Sequence, residues 1–216
     1  MFNKYGIRTV SILYLNNDFG IGLKTNFESN FEKLGGKLLI SEAINMGSNE
    51  IKAPVTKLMS ANPDALLLIA ASNENVNALK QIRQLGIKTR IFAPSSFNSP
   101  EIVQQAGDLA EGIIFSAASF DGIKDQENVR FFLKAFKLKY PEKEPTTFTA
   151  YGYDALKILI NQIKIFGYNS TLVKNSLYNM APFEGASGST SFDENGDAKK
   201  QLTLFEVKKG LFVPIK

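Results

Sequence analysis

Five apolar runs recur along the first 116 residues: Thr9–Leu15, Lys37–Ile44, Ala65–Ala70, Arg90–Pro94 and Gly112–Ser116. They start at intervals of roughly 22–28 residues, with helix-spaced apolar positions in between. Strand and helix alternating at this pitch leave few solutions. The simplest is a parallel sheet with right-handed crossovers, an α/β fold whose sheet is flanked by helices.

The stretch TVSILYLNNDFGIGLKTNFESNFEKL, residues 9–34, contains one full unit. Thr9 to Leu15 is too continuously apolar to alternate, as expected for a strand covered on both faces. Asn16-Asn17-Asp18 ends it. Leu23, Phe27, Phe31 and Leu34 then fall on one helical face. Asp18 suits the N-cap, because its carboxylate can accept a free backbone N–H of the first turn. Ligands of open α/β sheets bind outside the carboxyl ends of strands. Asn16 to Gly20 is therefore the first place to look for function.

Further helices are expected from Ser48-Asn49 (inward Ile51, Val55, Leu58, Met59), from about Asn73 to Gly86 (inward Val76, Leu79, Ile82, Leu85) and from Ser99-Pro100-Glu101 to Gly107. The alternation breaks after residue 116. Ala117 to Asp125 reads as a linker, followed by helices over about 126–140, 146–166 and 170–180 with no strand between them. The second should turn Tyr151, Ala155, Ile158, Leu159 and Ile163 inward. Residues 184–200 are small and polar with a turn at Asn195-Gly196, and Gln201–Val207 with Leu211–Ile215 should close a hairpin.

Composition excludes several chemistries. There is no histidine and no cysteine, so a Ser-His-Asp triad, a histidine-ligated metal and thiol chemistry are ruled out. The 25 basic residues include four arginines, leaving 21 scattered lysines. Arginine is the usual reader of phosphates and bases, so no nucleic-acid partner is expected. No run approaches the roughly 20 apolar residues of a membrane span. The first nine residues, MFNKYGIRT, have no signal-peptide core. Gly20-Ile21-Gly22 opens like a dinucleotide loop, but Thr25 stands at the third glycine position, and no glycine precedes Lys24 as a P-loop requires. Asp193 to Asp197 has its glycine at the fourth place and Leu204 at the twelfth, which fits a turn and not a calcium loop. No cofactor is implied.

Taken in order, ILYLNNDFGIG (12–22), Asn62-Pro63-Asp64-Ala65, AYGYDALKIL (150–159) and the tail FEGASGSTSFDENGDAKKQLTLFEVKKGLFVPI (183–215) resemble the type I periplasmic binding proteins of the leucine/isoleucine/valine-binding kind. These are solute receptors of ABC importers. The resemblance implies two α/β lobes joined by three crossing segments, closing on a small ligand. On that pattern residues 1–117 with 202–216 form the second ligand-binding lobe. Residues 118–201 are a partial first lobe of helices and crossing segments. The family's long N-terminal section has no counterpart here, so the chain is expected to be a C-terminal fragment.

The resemblance also points to ligand-binding residues in loops at the strand ends. Phe19 stands where an aromatic side chain commonly packs on the ligand, flanked by Asn17 and Asp18; a helix cap plus a core phenylalanine would account for the same residues. Ala71, Ser72 and Asn73 follow the third strand, where free N–H groups suit a carboxylate; Ser72 or Asn73 acting as an N-cap is the alternative. Ser95 and Ser96 follow the fourth strand, near which amino-acid-binding members place a carboxylate for the ligand's ammonium group. A buried ammonium without a counter-charge is costly. The ligand is thus an amide, a carboxylic acid or another small polar solute as readily as an amino acid, unless Asp121 or Glu101 compensates. Phe120 and Tyr151 are candidate cleft-lining aromatics.

The function expected is a non-enzymatic solute-binding receptor, extracytoplasmic, with an ABC permease as partner and weak or no ligand binding by this chain alone. A ligand-sensing regulator of the same fold is the alternative, with a nucleotide-dependent enzyme behind it. The helices over 126–166 should expose apolar surface and promote self-association.

Overall fold

The computed structural model of the chain describes residues 1–118 and 126–215, the Ser72 side chain aside. In chain order the elements are α1 (Phe2–Tyr5), β1 (Thr9–Leu15), α2 (Asp18–Lys33), β2 (Lys37–Ile44), α3 (Lys52–Ser60), β3 (Ala65–Ile69), α4 (Ser72–Gln84), β4 (Arg90–Ala93), α5 (Pro100–Ala106) and β5 (Ile114–Ala117). Then come α6 (Glu127–Lys139), α7 (Thr147–Phe166), α8 (Ser170–Asn179), β6 (Phe183–Gly185), β7 (Gly188–Phe192), β8 (Ala198–Lys199), β9 (Thr203–Lys208) and β10 (Leu211–Pro214). Contacts divide the chain into two compact units, Met1–Ala117 with Leu204–Lys216, and Ala118–Thr203.

The larger unit is a seven-stranded sheet in the order β10-β9-β5-β4-β3-β1-β2. The pairs β1–β2, β1–β3, β3–β4 and β4–β5 are parallel. All five residues of β3 are buried. Its side chains alternate between two cores. Leu66 and Leu68 meet α3, α4 and α5 through Val55, Leu58, Leu79, Ile82 and Ile102. Leu67 and Ile69 share the opposite core with Phe31 of α2, against which Leu23 and Phe27 pack. A strand enclosed on both faces must be apolar at every position, and that is the pattern of ALLLI.

The end opposite the loops of interest is fastened by Asp64. Its Oδ2 accepts the backbone N–H groups of Arg8 at 2.9 Å and Thr9 at 2.8 Å, and its own N–H donates to Thr9 Oγ1 at 3.0 Å. These bonds hold the Asp64 carboxyl below its ordinary range, the Arg8 amide contributing most. Asn62 reaches this turn with φ +49°.

Some expectations shift. The cap of α2 is Asn17 and not Asp18, which is the first helical residue. Leu34 lies past the helix end and is 52% exposed. The smaller unit has a sheet of its own, β6-β7-β8, antiparallel throughout. It was hidden because its residues are short and polar. In α7 the buried residues are Ala150, Asp154 and Ile158. Ala155 and Leu159, expected inward, are exposed, and Tyr151 and Ile163 are half-buried. No helix among the described residues is long and apolar enough to cross a membrane.

Candidate functional site

In the larger unit β1, β3 and β4 are parallel neighbours, so their carboxyl ends lie at one end of the sheet. The three segments that follow them contain Asn17, Asp18 and Phe19; Ala71, Ser72 and Asn73; and Ser95 and Ser96. Each segment leads directly into helical turns, because the chain must reverse over the sheet.

Asn17 is extended, with φ −152° and ψ 174°, and its Oδ1 accepts the Gly20 N–H at 2.9 Å. That bond satisfies one orphan donor of the first turn and commits the side chain to capping. Gly20 is required there: a Cβ on it would lie 2.0 Å from the Leu15 carbonyl oxygen. Phe19 is 43% exposed. It does not enter the core, and the core-phenylalanine alternative fails. Asp18 is also exposed.

Ala71 is the N-cap of α4, with extended backbone. It has no side-chain oxygen, and Ser72 and Asn73 are already helical, so neither takes the N-cap role. Asn73 is exposed. Ser96 donates from Oγ to the Ala70 carbonyl at 2.8 Å, tying the segment after β4 to the one after β3. Asn75 Nδ2 donates to the same carbonyl at 3.2 Å from a fully buried position. Ser95 is exposed.

Two residues behind these loops went unnoticed in the sequence. Buried Glu74 accepts the Gly47 N–H at 2.8 Å, fixing the segment after β2 against α4. Asn75 supports Ala70 as described. A glutamate in the first turn after Ala71 was the available signal, since carboxylates favour helix N-termini. Glu101 accepts from Ser99 Oγ, which holds its carboxyl below the ordinary range. Phe120 and Asp121 lie outside the described residues.

In the smaller unit Asp154 is 2% exposed. Its Oδ1 accepts the Ala186 N–H at 2.7 Å, and its Oδ2 accepts the Ser187 N–H at 2.7 Å and the Ser187 hydroxyl at 2.5 Å. Lys200 Nζ donates to Ser187 Oγ at 2.5 Å. With the serine proton aimed at Asp154 and the lysine donating, the cluster is a latch on the β6–β7 turn. A Cβ on Gly185 would meet the Asp154 carboxylate at 2.4 Å, so that position needs glycine. The Asp193–Asp197 stretch is a turn: Asp193 Oδ1 accepts the N–H groups of Asn195 and Asp197, both at 2.9 Å. Among the described residues no cluster of acidic side chains is arranged to hold a metal ion.

The sequence model of the periplasmic binding protein family matches residues 1–211. The chain belongs to this family. It is 26% identical over 209 residues to the leucine-, isoleucine-, valine-, threonine- and alanine-binding protein of Pseudomonas aeruginosa, a match covering 95% of this chain and 55% of that protein. Among solved structures it is similar to a leucine binding protein of Thermotoga maritima, with TM-score 0.89 and 28% identity over 100% of this chain and 61% of that one. It is also similar to the branched-chain amino acid transporter substrate binding protein of Streptococcus pneumoniae, solved in complex with isoleucine. There the TM-score is 0.81 and the identity 27%, over 99% and 62% of the two chains. The chain thus spans just over half the length of these relatives.

Proposed function

We propose that this chain supplies the ligand-contacting loops of a solute-binding receptor serving an ABC importer. The observation that carries the reading is the gathering of residues 17–19, 71–73 and 95–96 at the carboxyl ends of three adjacent parallel strands. On this reading residues 1–117 with 202–216 act as one ligand-binding lobe, and 118–201 contribute helices and crossing segments of the other. The receptor works outside the cytoplasm, releases its ligand unchanged and hands it to a permease.

The ligand is a small polar solute. Ser96 is already bonded to Ala70, and Asn17 to Gly20; among the described side chains of the predicted residues, Phe19, Asp18, Asn73 and Ser95 are exposed and free to meet it. With serines at 95 and 96, an ammonium group gains no counter-charge from that loop. Carboxylic acids and amides should therefore bind at least as well as free amino acids.

Backbone chemical-shift mapping with isoleucine, an aliphatic amide and a small carboxylate tests this. Shifts should cluster at residues 17–19, 71–73 and 95–96, Phe19→Ala should abolish them, and the ligand should be recovered intact. Shifts centred elsewhere, or turnover of the ligand, would overturn the reading.

A second expectation concerns α6, α7 and the segment after them. Leu138 is 85% exposed, Ile165 70% and Tyr168 98%. Apolar side chains this open favour association, and the 216-residue chain should self-associate in light scattering.

A further inference from the structure

α7 has a second apolar side that the rest of the chain leaves bare. Phe148, Gly152, Ala155, Leu159, Ile163 and Phe166 follow at steps of four, three, four, four and three, a single stripe along the helix. The buried residues Ala150, Asp154 and Ile158 lie on the opposite side. Phe148, Leu159 and Phe166 are 52%, 42% and 39% exposed, Gly152 and Ala155 are exposed, and Ile163 is half-buried. None of the charged residues of α7, which are Asp154, Lys157 and Lys164, falls on the stripe.

Gly152 is the informative position. A glycine inside a helix is unfavourable, and it serves where another body must come close. Nothing in this chain requires it, since a Cβ there would meet nothing within 4 Å. The stripe is also large enough to matter. With Leu156, 59% exposed, and Ile160 on its flank, it offers on the order of 500 Å² per copy and about 1,000 Å² in a pair, the area a specific interface has to clear.

The order of large and small residues selects a direction. Run antiparallel against itself, the stripe sets Leu159 beside the partner's Ala155, Ile163 beside the partner's Gly152, and Phe166 beside the partner's Phe148. Small side chains then face large ones at the centre, as interdigitation requires. In a parallel pair glycine would face glycine and leave a hole. A surface that complements itself in this way closes on a two-fold axis.

We propose that two copies of this chain pair antiparallel along the α7 stripe, about a two-fold axis passing between Ala155 and Leu159. The pairing rests on the self-association expected above and gives it a seam. Leu138 and Ile165 lie off the stripe, so contacts through them add larger species to the pair.

The full chain has no cysteine, so introduced thiols report without background. Phe148→Cys and Phe166→Cys, oxidised as a mixture, should give at least tenfold more disulfide-linked dimer than either variant alone. In the antiparallel pair the two different positions lie side by side, whereas two copies of the same position are about 27 Å apart along the axis, beyond the reach of a disulfide. Gly152→Leu supplies the second test. It adds apolar surface, so indiscriminate stickiness would raise association; filling the hollow should instead weaken the pair at least fivefold in sedimentation equilibrium. Equal cross-linking in the mixture and in the single variants overturns the antiparallel seam, as does unchanged or stronger association of Gly152→Leu. In either case a wild-type chain that still associates leaves the broader expectation standing. A wild-type chain that stays monomeric in light scattering leaves the stripe to some other polypeptide and overturns both.

Discussion

In the larger unit every residue of β3 is buried, with aliphatic side chains on both faces. In the smaller unit α7, twenty residues long, buries three, and one of those is the carboxylate of Asp154. One region is held by apolar layers that enclose a sheet. The other is held by a small apolar cluster around Phe132, Ala150 and Ala186, together with a latch of charge-assisted hydrogen bonds. The first kind of stability is spread over many contacts and is tolerant of detail. The second is concentrated in a few polar atoms whose geometry must be met.

The largest effect should come from the apolar side of this contrast. Phe115 is 1% exposed and its ring meets Phe97, Phe205 and Phe212. Phe115→Ala should cost about 3–5 kcal/mol, seen as faster hydrogen exchange in α4 with α7 unaffected. Equal loss in both helices would break the comparison.

Asp154→Ala should do the converse. It strands three donors and the partner of Lys200, at a cost on the order of 3 kcal/mol confined to the smaller unit. The β6–β7 amides of Ala186 and Ser187 should lose protection first. Asp64→Asn should have a smaller, pH-dependent effect on the larger unit. A carboxyl whose folded-state range is lowered adds stability that is present above its ordinary value of 3.8 and lost as pH falls through the lowered one. The acid limb of a denaturation profile should therefore flatten in the variant. The smallest effect on stability, within about 0.5 kcal/mol, should be that of Leu138→Lys with Ile165→Lys on the exposed apolar side. The same pair should shift light scattering toward smaller species.

The same contrast explains what could be read from the sequence. The strands of the larger unit were legible because burial on two faces forces continuous apolar runs of the right length. The sites where α2 and α4 begin were placed one or more residues late, since Asp18 and Asn17 are equally good caps on paper and Ala71 gives no signal at all. The β6-β7-β8 sheet was invisible. Gly185, Ala186, Ser187 and Gly188 have no alternation, and what holds them is Asp154, more than thirty residues away. In the candidate site the loops were found, because strand ends announce themselves. Which side chains were already spent on structure, as Asn17 and Ser96 are, depends on distances that no spacing encodes.

The place of β9 between β5 and β10 has a consequence for biosynthesis. Gly112 donates to the Val207 carbonyl and Val207 to that of Ile113, so these bonds must wait until the whole smaller unit has emerged from the ribosome. At about 5–20 residues per second that delay is several seconds. Throughout it the nascent β5 presents an open edge, the kind that captures stray strands. A chaperone that shields this edge early would then raise the yield of folded protein more than one acting after release.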